Sequence, residues 1–321
     1  SSGILEPECF GFCDIDKTRP VTPDTIYDIA SLTKPIATAT SILLLMEEGL
    51  IRLDQPISDF FPNTENDPLA NVTLLQLITH TSGLPAYKDL YSNGQNRDEI
   101  IAGILSTPLD NPPGTVYTYS CLGYMLLGEI VRIASGINLD EFAKNRIFIS
   151  LEMCDTNFKP KNIFYLRIAV TANCPVRQRV LLGEVHDPNA WAMGGVSGNS
   201  GLFSTVIDLV KFVNMMISEG AGLLSPASIR LMFQNLIDPS IGGQTAGWFT
   251  YPNEMLPISN FLSFQAISHT SFTGTSVTID AACDTYVILL TNRVCYADDG
   301  ADFRKIRRTF HGAIFQPMLS S

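Results

Sequence analysis

The chain has 321 residues, 45% of them hydrophobic and 17% charged. That is enough to bury a sizeable core in one large domain or two closely packed ones, and too apolar for a disordered segment. A net charge of −11 argues against nucleic acid and anionic membrane surfaces as main partners, because both demand a positive face.

No stretch reaches the roughly 18 uninterrupted apolar residues of a membrane-crossing helix, and no secretory leader pattern opens the sequence. In chain order, Cys9 to Asp16 reads as a short strand and Thr25 to Ala30 as a second. From Ser31 the pattern turns helical and almost wholly apolar through Met46, with Gly49 as its stop, so a buried helix is expected there. Pro35 is compatible with that helix because proline is tolerated in a first turn. Leu53 to Gly114 is rich in Pro, Asn, Asp and Gly, with a short helical piece at Leu74 to Ile78. Helices follow over Ser120 to Ser135, closed by Gly136, over Ile207 to Ile217, and over Ser225 to Asn235. Ser263 to Ile279 and Thr285 to Leu290 read as adjacent strands, and Phe303 to Phe315 as an amphipathic closing helix.

Cysteines at 9, 13, 121, 154, 174, 283 and 295 form no C-x-x-C pair and accompany no paired histidines. No metal site and no disulfide framework are expected, and free thiols fit a reducing compartment slightly better than an oxidising one. His80, His186 and His311 lack metal-ligand spacing and read as structural. Ser197 and Ser200 do not fit G-x-S-x-G, and Gly194, Gly195 and Gly198 lack the Lys-Ser/Thr of a phosphate loop. No cofactor is expected.

The chemistry centres on Ser31-Leu32-Thr33-Lys34 at the mouth of the buried helix. Residues three apart on a helix share a face, so Ser31 Oγ and Lys34 Nζ can meet. A serine hydroxyl needs a group to take its proton, and a lysine kept neutral by burial can serve.

Around this pair the sequence resembles the serine β-lactamase and penicillin-binding family, in its class C-like, esterase-type branch. Thr25-Ile-Tyr-Asp-Ile-Ala-Ser-Leu-Thr-Lys is similar to the family's approach to the nucleophile, and Leu77-Ile-Thr-His-Thr-Ser-Gly-Leu-Pro to a structural segment of that branch. Tyr117-Thr-Tyr-Ser-Cys-Leu-Gly-Tyr resembles the Tyr-Ser-Asn second motif, and Gly194-Gly-Val-Ser-Gly-Asn-Ser-Gly a glycine-rich turn. His269-Thr-Ser-Phe falls on the third motif. The matches run in family order from residue 25 to residue 293.

The resemblance implies Ser31 as nucleophile, Lys34 as base and Tyr119 as proton relay. It places Cys121, His269, Thr270, Ser271 and Phe272 against substrate, with the main-chain N–H groups of Ser31 and Phe272 as oxyanion hole. Cys121 replaces a substrate-orienting asparagine, His269 a lysine, Ser271 a glycine and Asn199 a histidine. It implies an α/β (α+β) fold, an antiparallel sheet flanked by helices, with residues 1–53 and 200–321 in the sheet domain and 54–199 in an inserted helical domain. Only thirty residues precede Ser31, so one sheet-edge strand is expected to be missing or short. The expected reaction is acyl-enzyme hydrolysis of a small-molecule or peptide substrate: an ester, a D-alanyl peptide or a β-lactam. A catalytically impaired binding or sensor protein, a scaffold or filament subunit, and an oligomer remain open.

Overall fold

The computed structural model describes residues 6–62, 64, 67–92, 96–161, 164–256, 262–296 and 303–315. Nine strands and ten α-helices are assigned among them. The N-terminal region carries β1 (Tyr27–Asp28), a 3-10 turn at Ala30–Leu32, a π-helical stretch at Lys34–Ala39 and α1 (Thr40–Glu47). The helix expected from Ser31 is thus built from three successive geometries. Thr40 and Ser41 turn their hydroxyls back onto the carbonyls of Pro35 and Ala37 within it. Gly49, at φ +71°, closes it. Residues Ile42, Leu43 and Leu45 are fully buried, and burying each such side chain contributes about 1.5–3 kcal/mol.

The middle of the chain is helical. It holds α2 (Asp67–Ala70), α3 (Leu74–Ile78), α4 (Arg97–Leu105), α5 (Cys121–Ser135) and α6 (Leu139–Ala143). Thr73 and Gln76 form a reciprocal capping box on α3. Asn96 caps α4, an element inside the segment that reads as loop-rich in sequence. Ser120 Oγ caps α5 and Gly136 ends it in the left-handed conformation.

Strands β2 (Asn157–Phe158) and β5 (Leu202–Ser204) join β1 in a three-stranded antiparallel sheet of order β1-β5-β2. β3 (Ala172–Cys174) and β4 (Arg179–Leu181) form a separate hairpin. Helices α7 (Pro188–Ala192), α8 (Val206–Ile217) and α9 (Pro226–Phe233) follow. The main sheet is an antiparallel meander of β6 (Phe249–Thr250), β7 (Ile267–Thr270), β8 (Ser276–Asp280) and β9 (Thr285–Leu289), and α10 (Phe303–Phe315) closes the described chain. β8 is buried along its length. β9 pairs only with β8 among the described residues and packs on α8.

Two expected strands take other shapes. Cys9 to Asp16 forms no strand beyond a single bridge from Phe12 to Pro20. The Asp14 carboxylate accepts the main-chain N–H groups of Thr18 and Arg19 and bends the segment into a turn. Ser263 to Ile279 is two strands rather than one. Gly274, at φ +94°, lets the chain reverse, with Ser271 N–H bonded to Thr275 O.

Candidate active site

Lys34 is the most deeply buried cation of the fold's interior, with no exposed surface. Its Nζ lies 3.1 Å from Ser31 Oγ, 3.0 Å from the carbonyl oxygen of Asn199 and 3.7 Å from Cys121 Sγ. It also sits over the Tyr119 ring, 4.8 Å from the centroid. Among the described residues no carboxylate pairs with it at ion-pair distance. Burial therefore pulls the Lys34 ammonium below its ordinary pKa, against smaller upward pulls from Cys121 and Asp187. A lysine in this position can accept the Ser31 proton.

Tyr119 comes from the loop ahead of α5, and a buried histidine sets its position. The His80 ring lies 4.5 Å from the Tyr119 ring and 4.9 Å from that of Tyr124. His80 Nδ1 accepts the main-chain N–H of Ser120, so the neutral ring carries its proton on Nε2. Burial pushes the Tyr119 phenol well above its usual pKa, with the Ser31 hydroxyl acting the other way. His80 reads as structural in sequence; its place under Tyr119 comes from a contact 39 residues away.

Cys121 opens α5 beside Lys34 and faces the same pocket as Ser31. At the end of β7, Thr270, Ser271 and Phe272 line that pocket too. The Ser271 hydroxyl turns inward, bonding Thr273 Oγ1 at 2.9 Å and Thr275 Oγ1 at 2.6 Å. Phe272 is exposed and stacks on His186 at 5.1 Å. His269 does not line the pocket. It is fully buried, stacked on Phe249 at 4.5 Å, and neither ring nitrogen has a hydrogen-bond partner among the described residues. Burial and the nearby Lys34 hold it neutral.

The pocket is an open cleft of about 690 Å³. Its remaining walls include Tyr87, Phe249, Met255 and Phe303, and Arg293, Arg304 and Arg307 stand on one side. Arg307 is buried, donates to Ser271 O at 3.2 Å, and has its pKa pulled down to about 10 by burial and by Arg293. Sequence reasoning missed it because it lies on α10, far from every motif. Among the described residues no cluster of histidine, cysteine or carboxylate side chains is suited to a metal ion, and no single helix is long and apolar enough to cross a membrane. All seven cysteines are free.

The sequence is 32% identical over 307 residues to a putative D-alanyl-D-alanine carboxypeptidase of Escherichia coli, covering 85% of this chain and 70% of that protein. It is 31% identical over 304 residues to an N-acetylmuramyl-L-alanine amidase of Bacillus subtilis, covering 84% and 68%. The octameric penicillin-binding protein homologue of Pyrococcus abyssi superposes with a TM-score of 0.73 at 26% identity, covering 96% of this chain and 70% of that one. The family model described as Beta-lactamase matches residues 7–309. With that match along nearly its whole length and a fold of the same kind, the chain belongs to the beta-lactamase family of serine hydrolases.

Proposed function

We propose that the protein is a serine acyl-hydrolase working through a Ser31 ester, with carboxyl esters as the preferred substrate class. The observation that carries this reading is the buried, carboxylate-free Lys34 with its Nζ 3.1 Å from Ser31 Oγ. Lys34 takes the hydroxyl proton as Ser31 Oγ attacks the substrate carbonyl carbon. The oxyanion forms against the main-chain N–H groups of Ser31 and Phe272. The leaving group departs with a proton relayed through Tyr119 and Lys34. Water then attacks the ester and frees Ser31. Cys121 favours esters over amides and β-lactams, because a thiol is a weak donor and a weak acceptor toward a substrate amide.

A peptide ending in a free carboxylate is the second substrate class. Arg307 supports it, as a buried guanidinium on the pocket wall whose Nε has no partner among the described residues. The relatives named as carboxypeptidases agree with it. The octamer described for the Pyrococcus abyssi homologue leaves an oligomer as the reading for assembly.

Treatment with a fluorophosphonate followed by peptide mass spectrometry tests the reaction. An adduct on Ser31 is expected in the natural chain and none in Ser31→Ala. Lys34→Ala should slow adduct formation about 10²–10⁴-fold, the contribution of a positioned general base. An adduct elsewhere, or none, would reject the assignment.

A further inference from the structure

Three residues ahead of Ser31 stands a buried carboxylate that the acyl-transfer steps do not use. Asp28 is 2% exposed. Its Oδ1 accepts the main-chain N–H of Ala30 at 2.9 Å, and its Oδ2 accepts that of His186 at 2.8 Å. Arg177 and Asp187 act on it with opposite signs, and neither ion-pairs with it.

The residue it holds is in an unusual conformation. Ala30, immediately before Ser31, has φ +45°. A residue with a Cβ resists the left-handed region, and it stays there only where its surroundings over-determine it. The surroundings here do so from three directions. Thr33 Oγ1 donates to Ala30 O and accepts Leu202 N–H from β5, while Ile29 N–H donates to Leu202 O. From the β7–β8 turn, Thr273 Oγ1 donates to Asp28 O and Thr275 Oγ1 to Ile29 O. The Asp28 carboxylate supplies the third tie, and it alone engages the N–H of Ala30 and reaches across to His186, whose ring packs on Phe272 at the pocket wall.

We propose that Asp28 is a positioning residue for acyl transfer, its carboxylate clamping Ala30 in the left-handed turn so that Ser31 Oγ is held against Lys34 Nζ. The proposal rests on Ser31 being the nucleophile. Asp28 touches no substrate; it acts through the turn.

Asp28→Asn keeps the volume but leaves one acceptor for two N–H groups and turns a donor toward the other. With a nitrophenyl acetate, kcat should fall tenfold or more while KM changes less than threefold. Ala30→Gly in the same chain should return at least threefold of the lost kcat, because glycine adopts the left-handed turn without the clamp. A general loosening of the fold would not be relieved by adding a glycine. If Asp28→Asn alone does not fold, a folded double variant with kcat within threefold of Ala30→Gly supports the proposal, and an unfolded one overturns it. Unchanged kcat in Asp28→Asn, or an equal loss with and without Ala30→Gly, also overturns it while a Ser31 adduct still forms. Absence of that adduct from the natural chain would instead remove the Ser31 reading, and this proposal with it.

Discussion

Lys34 is surrounded by acceptors that leave it partnered without a counter-charge. The Asn199 carbonyl, the Ser31 hydroxyl and the Cys121 thiol lie within reach of its Nζ. The spacing Ser31-x-x-Lys34 made the first pair legible from sequence, and the Tyr-Ser-Cys segment placed Cys121 nearby. The Asn199 carbonyl was not legible, because main-chain acceptors carry no sequence signature. The same holds for Arg307 and for the Asp28 clamp, whose partners are main-chain groups. Cys121 is where side-chain chemistry should show most directly. Cys121→Asn offers a donor and an acceptor to a substrate amide, and one added hydrogen bond contributes about 0.5–1.5 kcal/mol. Catalytic efficiency on a D-alanyl peptide should rise roughly two- to twelvefold at that energy, with little change on an acetate ester. Equal changes on both substrates, or a lowered Tm with no gain, would show that position 121 does not orient substrate amides.

At the scale of elements, the helices were the most legible part, since their ends carry local signals. Ser120 and Gly136 bracket α5, and Ser225 with Pro226 opens α9. Strand ends depended on distant partners and were less so; the β7–β8 reversal at Gly274 lay inside Ser263 to Ile279, a stretch that reads as one strand. The contact between α5 and the segment around Gly198 was also out of reach. A Cβ on Gly198 would fall 1.9 Å from Tyr124 O and 2.8 Å from Gly128 N, so two backbones meet there directly. This contact sets the site, because Gly198 O accepts Thr38 Oγ1 and the next carbonyl, that of Asn199, accepts Lys34 Nζ. Gly198→Ala must push the segment off α5. A stability loss of about 3 kcal/mol is expected from overpacking, together with slower Ser31 acylation. Gly136→Ala, at φ +78° with open space around it, serves as control. It should cost about 1 kcal/mol and leave acylation unchanged. Denaturant melts and adduct rates check both; normal acylation in Gly198→Ala would separate the glycine contact from Lys34.

Over the whole molecule, buried ionisable groups make stability depend on pH in a defined direction. His80, His269 and His311 are each at most 1% exposed. Burial holds His80 and His269 well below the ordinary histidine pKa, and holds His311 down at about 3, with Arg307 adding to the effect. Such a histidine takes up a proton only in the unfolded chain. Its contribution is complete above a pH of about 6.5 and is lost as pH falls toward the folded value. Asp28 runs the other way. Burial raises its carboxyl from 3.8 to about 6, so the folded chain binds that proton first and stability rises as pH drops through this window. His311 alone, with its folded value of about 3, contributes a slope of ~1.4 kcal/mol per pH unit, so stability is expected to fall as pH drops from about 6 toward 4, opposed by Asp28. His311→Asn tests this contribution, since an amide can keep the bond to Ser276 Oγ that His311 Nε2 makes at 3.0 Å. Urea unfolding of this variant across the same range should give a slope shallower by ~1.4 kcal/mol per pH unit. An unchanged slope would mean that His311 is already protonated in the folded chain and that its burial does not set the acid limit.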